Sequence, residues 1–376
     1  MDFGFTEEEE VFRESYRKFL KKENPTTLVR EIEEKGLDYS REIYRKMADL
    51  GWLQIMIPEE YGGIGGDWVD MAILFEETGR ALLQSPYFTT VTLGAQTILA
   101  FGTEEQKREF LPKIGNGEIV MALALTEADA GSNLRVISTA ATPDSEDYII
   151  NGTKLYISNA HLADYIIVVT RTGPSASDGA GISLFLVDGK NPNVKCTPMK
   201  TFGLERVSEV VFDRARVSKT AMLGELNQGG DITDIVNRAK VMLSTEALGG
   251  AQMALEIAID YSKLRHQFGV PIGTFQALQH KMSDMALAIS GSTRLSYWSI
   301  WLMSQGISCS KELAMAKLRA GEAYRMITAE TIQVLGGYGA MQEHDIGLYF
   351  RRAKEIQLSL GHNHILKETI ATSIGL

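Results

Sequence analysis

Cysteine is scarce in this chain: Cys196 and Cys309 are the only two in 376 residues. They form neither a disulfide framework nor a metal-ligand spacing, which points to a reduced, cytoplasmic protein without a resident metal. Long apolar runs are missing as well. None approaches the roughly 20 residues of a membrane span. The start, Met1-Asp-Phe-Gly-Phe-Thr6 ahead of Glu7 to Glu10, has neither the basic nor the apolar region of a signal peptide. Positive charge is in deficit, with 38 Lys and Arg against 48 Asp and Glu for a net −10, so nucleic acid and anionic membrane surfaces are poor bulk partners. An anionic ligand is not excluded, because a few local cations or one helix N-terminus can hold phosphate inside an acidic protein. There is no repeat and no low-complexity segment.

What is present is an ordinary globular composition, 44% hydrophobic and 23% charged, in a chain long enough for two or three domains with ample core. Residues 6 to about 120 read as helices: Val11, Phe12, Tyr16, Phe19 and Leu20 recur at helical spacing, as do Ile43, Met47, Leu50 and Leu53. Thr6 with Glu9, and Thr103 with Gln106, read as capping boxes. The second opens a helix expected to end near Leu111-Pro112. Helix stops fall at Pro58, Gly62-Gly63, Gly65-Gly66 and Pro86.

From Met121 the period changes. Met121 to Leu125, Tyr148 to Ile150, Tyr165 to Val169, Ile182 to Val187 and Glu209 to Phe212 are short β-rich runs, with turns at Asn151-Gly152, Asp188-Gly189 and Pro192-Asn193. They describe a compact antiparallel β-domain or small barrel. After Asn227-Gln-Gly-Gly230 the helical period returns and holds to the end, with 232 to about 264 as the longest helix. The expected domains are thus 1–120 (helical), 121–226 (β) and 227–376 (helical), an α+β fold.

Several segments suit a flat, phosphorylated cofactor. Thr126 lies just past a strand end, where its hydroxyl and successive backbone N–H groups can meet one ligand. Ala130-Gly131-Ser132 offers a tight turn that a ligand can approach closely. On the next hairpin, strand alternation sends Tyr156 and Ser158 to one face. Further on, Arg265, Gln267, Phe268 and Gln276 lie in Arg-His-Gln-Phe-Gly-Val-Pro-Ile-Gly-Thr-Phe-Gln, and a planar guanidinium such as Arg265 suits a pyrophosphate bidentately. Gly336-Gly-Tyr-Gly339 follows no strand and is no Rossmann fingerprint.

Taken together, Thr126-Glu-Ala-Asp-Ala-Gly-Ser132, Tyr156-Ile-Ser-Asn159, Arg265-His-Gln-Phe-Gly269 and Gln333-Val-Leu-Gly-Gly337 resemble the acyl-CoA dehydrogenase family, with Ala128, Tyr156 and Ser158 as departures that keep the needed atoms. The resemblance implies the acyl-CoA dehydrogenase fold, with a helical domain, a β-domain and a C-terminal four-helix bundle. It implies FAD held by Thr126, Ser132, Tyr156, Ser158, Arg265, Gln267, Phe268, Gln276, Gln333, Gly336 and Gly337, the later segments reaching a neighbouring subunit's flavin. The implied reaction is α,β-dehydrogenation of an acyl-CoA, with electrons passed to an electron-transferring flavoprotein. The assembly implied is a homotetramer, or a mixed tetramer with a similar subunit. Arg238 and Lys240 fall where the family holds the CoA ribose-phosphate.

One family feature is absent. A base must take the α-proton of the thioester, and the family places its carboxylate at the positions matching Leu360 or Ala239. Both are empty here. Glu246, seven residues after Ala239, lies on nearly the same helix face about 10 Å farther along. Among Met242, Leu243, Ala247 and Leu248 it reads as a desolvated carboxylate with a raised pKa, and it is the expected base. The other reading of Glu246 is a buried structural acid bonded to an arginine or the backbone. A catalytically silent partner subunit, and an oxidase, reductase or desulfinase on the same fold, are the alternatives for the whole chain. His161 reads as a satisfied loop histidine, and Arg351-Arg352 as bridges between helices.

Overall fold

The computed structural model describes residues 5–131, 133–174 and 180–376. Six helices come first: α1 (Glu7–Glu23), α2 (Thr26–Glu34), α3 (Arg41–Asp49), α4 (Trp68–Ala81), α5 (Gln96–Phe101) and α6 (Glu104–Gly115). Both expected capping boxes form. Thr6 accepts from Glu9 N–H while Glu9 accepts from Thr6 N–H, and Thr103 and Gln106 do the same. Two expectations need correction. Helix α6 runs through Pro112 to Gly115, because a proline in the last turn forfeits one hydrogen bond while Phe110, Leu111 and Ile114 keep that face buried. Pro86 does not stop a helix but opens the π-helical segment Phe88–Ala95, its carbonyl accepting from Thr90 N–H at 2.9 Å.

The β-domain holds β1 (Met121–Ala124), β2 (Ala140–Asp144), β3 (Asp147–Ser158), β4 (Tyr165–Arg171), β5 (Ile182–Asp188), β6 (Val194–Met199), β7 (Val207–Ser218) and β8 (Met222–Leu223). They pair in the order β6-β7-β3-β2-β4-β5-β8, with β1 parallel to β4. Most neighbours are antiparallel, but the single β2–β4 pairing is parallel too. All five expected runs are strands, and β2, β6 and β8 are additional. Asn151-Gly152 is not a turn. It lies inside β3 at a register shift, where Gly152 takes φ +149 and crosses so close to Thr139 that a Cβ would sit 2.5 Å from its Oγ1.

The last third comprises α7 (Ile232–Leu264), a hairpin of β9 (His266–Gln267) and β10 (Val270–Pro271), then α8 (Gln276–Ser304), α9 (Ser310–Leu335), α10 (Ile346–Leu358) and α11 (Asn363–Ser373). Helices α7 to α10 pack as the bundle, and α11 lies on α9. Among the described residues no helix is long and apolar enough to cross a membrane.

Helix α4 binds the first domain to the bundle by direct backbone contact with α7. A Cβ built on Gly79 would lie 1.9 Å from the Glu246 carbonyl oxygen, and one on Gly249 would lie 1.7 Å from that of Glu76. Each helix offers a glycine to the other's carbonyl, and any side chain there forces the pair apart. We therefore expect Gly249→Ala to cost about 1–3 kcal/mol by overpacking and lower the thermal midpoint by about 1–4 °C. An unchanged midpoint in differential scanning calorimetry would show that the two helices separate without cost.

Candidate active site

The loop carrying Thr126 is built on a buried ion pair. Glu127 and Gly131 exchange backbone hydrogen bonds at 2.9 Å each way, closing the turn, and Leu155 N–H donates to the Thr126 carbonyl at 2.9 Å. Inside the turn the Glu127 carboxylate accepts from Ser138 N–H, Ser138 Oγ and Thr139 N–H at 2.8, 2.7 and 3.0 Å. Lys154 Nζ, fully buried, lies 2.9 Å from Glu127 Oε1 and donates to the Leu125 carbonyl at 3.1 Å. Burial works against the Glu127 carboxylate, but Lys154 and its hydrogen bonds outweigh it and hold the pKa at about 2. Burial likewise lowers Lys154 to about 8. This pair escaped the sequence reading, although a lysine in the middle of an apolar strand was a signal.

Tyr156 adopts φ +57 at a second register shift in β3, and its ring is 58% exposed. Ser158 is half-buried and Ile157 is buried. Ser132 lies outside the described residues. Arg265, Gln267, Phe268, Gln276, Gln333, Gly336 and Gly337 all lie on the surface. Arg265, Gln267, Gly336 and Gly337 come together from distant segments in one groove of about 740 Å³, floored by Ile272, Val334 and Leu335 and flanked by Tyr261 and Tyr338. Phe268 projects from the β9–β10 hairpin with 93% of its surface bare.

A second, partly open cavity of about 40 Å³ lies where the three domains meet, lined by Phe75, Thr78, Leu82, Phe88, Asn159 and Leu204 with Glu205, Glu246 and Arg352. Glu246 is 5% exposed, and its Oε1 receives both Arg352 Nε at 2.7 Å and Nη2 at 2.6 Å. Arg352 Nη1 also meets Glu355 at 3.0 Å and Glu205 at 3.4 Å. Asn159 Nδ2 donates to Glu205 Oε1 at 3.1 Å and to Thr89 Oγ1 at 3.3 Å, while Glu355 accepts from Leu204 and Glu205 N–H. Burial raises the carboxyls of Glu246 and Glu205, against the pull of Arg352. Arg351 instead pairs with Glu33 and donates to the Phe202 carbonyl. Both arginines bridge elements, as expected.

Arg238 stacks 5.9 Å from the Trp68 ring centroid. Lys240 turns inward: its Nζ donates to Asn237 Oδ1 at 2.9 Å, and its Cε lies 3.9 Å from where a Cβ on Gly361 would stand. His161 is satisfied, with Nε2 2.8 Å from Asp38 Oδ1 and Nδ1 3.2 Å from Ser208 Oγ.

Family models for the N-terminal, middle and C-terminal domains of acyl-CoA dehydrogenase match residues 6–118, 122–215 and 228–375. This chain belongs to the acyl-CoA dehydrogenase family. It is similar to a probable acyl-CoA dehydrogenase, YngJ, of Bacillus subtilis, 33% identical over 380 residues covering 100% of each chain. The caffeyl-CoA reductase–Etf complex subunit CarC of Acetobacterium woodii is 33% identical over 374 residues, 98% of each chain. Among solved structures, butyryl-CoA dehydrogenase from Megasphaera elsdenii superposes with a TM-score of 0.94 at 30% identity and complete coverage of both. The family's cofactor is FAD, and the residues here fit it. Among the described residues Arg265 makes no ion pair, and Cβ atoms built on Gly269, Gly336 and Gly337 meet nothing within 4 Å, so a diphosphate can approach cation and backbone together.

The Glu127–Lys154 pair makes a pH-dependent prediction. A carboxyl whose folded pKa of about 2 lies below its ordinary 4.5 contributes stability above the ordinary value, and that stability is lost as pH falls through this window. Lys154→Met leaves the carboxylate buried without its cation, so it should cost about 3–5 kcal/mol at pH 7. It should also flatten the acid limb of the thermal-midpoint curve between pH 4.5 and 2. A midpoint and acid limb unchanged from the parent would contradict this account.

Proposed function

We propose that this member of the family is a cytoplasmic FAD-dependent dehydrogenase of a short acyl-CoA, working as a tetramer and passing its electrons to an electron-transferring flavoprotein. The observation that carries the substrate reading is the charged floor. A pocket entering between α4, residues 82–88 and α7 runs into Arg352 and its three carboxylates, with room for only about 40 Å³. A long hydrocarbon tail would have to bury its end against these charges, so a short acyl group, or one with a polar end, fits better. The acceptor is inferred from the Acetobacterium woodii relative, whose name places it in an Etf complex.

Thr126, Tyr156 and Ser158 would hold the flavin ring, with Ser132 completing their loop. Arg265, Gln267, Phe268 and Gln276, with Gln333, Gly336 and Gly337, would hold the diphosphate and adenine, in part across a subunit contact. That division explains why Phe268 and the groove are bare in a single chain. FAD bound there supplies the hydride acceptor. Arg238 stands where a CoA phosphate would pass.

Glu246 has a different place in this reading. Its Oε1 is fixed by two guanidinium nitrogens, and about 10 Å of helix separates it from Ala239. A carboxylate so placed meets the far end of an acyl group rather than the carbon beside the thioester. Glu246 belongs to the floor.

Two measurements check the proposal. Anaerobic titration of the flavin-loaded protein with straight, branched, cyclic and dicarboxylic acyl-CoAs should bleach the flavin fastest with the shortest or polar-ended members. A preference for long straight chains would overturn the short-acyl reading. Arg265→Ala should lower the flavin-to-protein absorbance ratio at least about tenfold by removing a charge-assisted pair, and full occupancy would remove Arg265 from the cofactor site.

A further inference from the structure

The polar groups of the cavity between the domains are unevenly matched, and this inference rests on the reading above that an acyl group ends there. The carboxylates of Glu246, Glu205 and Glu355 all meet on the single guanidinium of Arg352. Arg206, the other cation in the lining, is taken by Asp38 at 3.2 Å. We propose that the acyl group carries a hydrogen-bond donor at its far end, an amide, hydroxyl or ammonium, that Glu246 accepts from it, and that a terminal carboxylate is refused.

The pairing of donors with acceptors leads there. Arg352 directs Nε and Nη2 to Glu246 Oε1, and Nη1 to Glu355 and Glu205. Asn159 Nδ2 donates to Glu205 and Thr89, and Thr78 Oγ1 donates to the Phe75 carbonyl. These donors are committed within the protein. One acceptor is not. Glu246 Oε2 has no hydrogen-bond partner among the described residues, although the residue is only 5% exposed and lines the cavity. A carboxylate oxygen kept from bulk water without a donor is costly, and a ligand that brings the donor removes that cost.

Charge points the same way. A terminal carboxylate would be a fourth acid facing one guanidinium, whereas an ammonium or a neutral donor meets an excess of negative charge. Burial, joined by the charges of Glu355 and Glu246, raises Glu205 to about 7 against the pull of Arg352, and burial raises Glu246 as well. The rest of the wall is largely hydrocarbon, from Phe75, Leu82, Phe88 and Leu204, so a methylene stem can lie against it while the end group reaches Glu246.

The test compares acyl-CoAs of one shape and three ends on the flavin-loaded wild-type protein. The monoamide of glutaryl-CoA, glutaryl-CoA itself and 5-methylhexanoyl-CoA end in an amide, a carboxylate and an isopropyl group of nearly equal size. The adipic series, one methylene longer, is measured beside them. Anaerobic flavin bleaching at low substrate is followed at about pH 8, above the value to which Glu205 is raised. In at least one series the amide should be at least about tenfold faster than either of the other two, because a buried acceptor rejects an end without a donor and buried like charges repel. A smaller ratio in both series overturns the proposal.

Glu246→Gln keeps the shape and removes one charge, leaving Arg352 with two carboxylates. It should lower the amide-to-carboxylate ratio at least about fivefold, a change of preference that loss of packing alone would not produce. A smaller change overturns the role of Glu246. Wild-type flavin that none of these compounds and no straight-chain acyl-CoA bleaches overturns the dehydrogenase reading itself. Bleaching that is fast but indifferent to the end group overturns only this inference.

Discussion

The arrangement of this molecule depends on how closely α4 and α7 approach. Gly79 and Gly249 let each backbone rest on a carbonyl of the other helix, those of Glu246 and Glu76. Because the contact is backbone on backbone, it fixes both the distance and the register of the first domain on the bundle. Everything the two helices project into the space between domains inherits that register. Glu76, only 3% exposed, is held there by Gln252 of α7, Tyr297 of α8 and Arg13 of α1. Glu246 projects the opposite way, to Arg352.

Arg352 does for three domains what the glycines do for two helices. It gathers Glu246 from α7, Glu355 from its own helix and Glu205 from the segment entering β7, and through Glu205 it reaches Asn159, directly after the end of β3. One buried cation facing three carboxylates is expensive to desolvate, and the cost is offset where Asn159 donates to Glu205 and two backbone N–H groups donate to Glu355. Its position matters for chemistry as well as cohesion. It sets charge in the wall of the cavity between the domains, and it holds Glu246 Oε1 in an ion pair.

The β-domain loop that carries Thr126 is organised by different means. It is shaped by the Glu127–Lys154 pair inside the β-domain, a local device that needs no contribution from the other domains. The groove around Arg265, Gly336 and Gly337 is open, and Phe268 on the β9–β10 hairpin is bare. The loop is rigid and self-contained; the groove presents surface that a neighbouring chain can cover.

Much of this was legible in the residues alone. The capping boxes at Thr6 and Thr103, the long helix beginning at 232 and the five β-rich runs are local signals, set by hydrogen bonding and periodicity within a few residues, and they hold in any context that lets the chain fold. The sequence also determined that no carboxylate occupies 239 or 360. What it left open was decided by contacts between residues far apart. Asn151-Gly152 reads as a turn by local chemistry, but Thr139 and β7 draw it into a strand. Lys154 is found to neutralise Glu127 only once β3 lies beside the loop. Glu246 read either as a desolvated base or as a structural acid bonded to an arginine or the backbone, because helix periodicity gives its face and not its partner. Arg352 arrives from more than a hundred residues away, and only the packing of α10 against α7 turns that carboxylate into one half of an ion pair and leaves Lys240 beside Gly361.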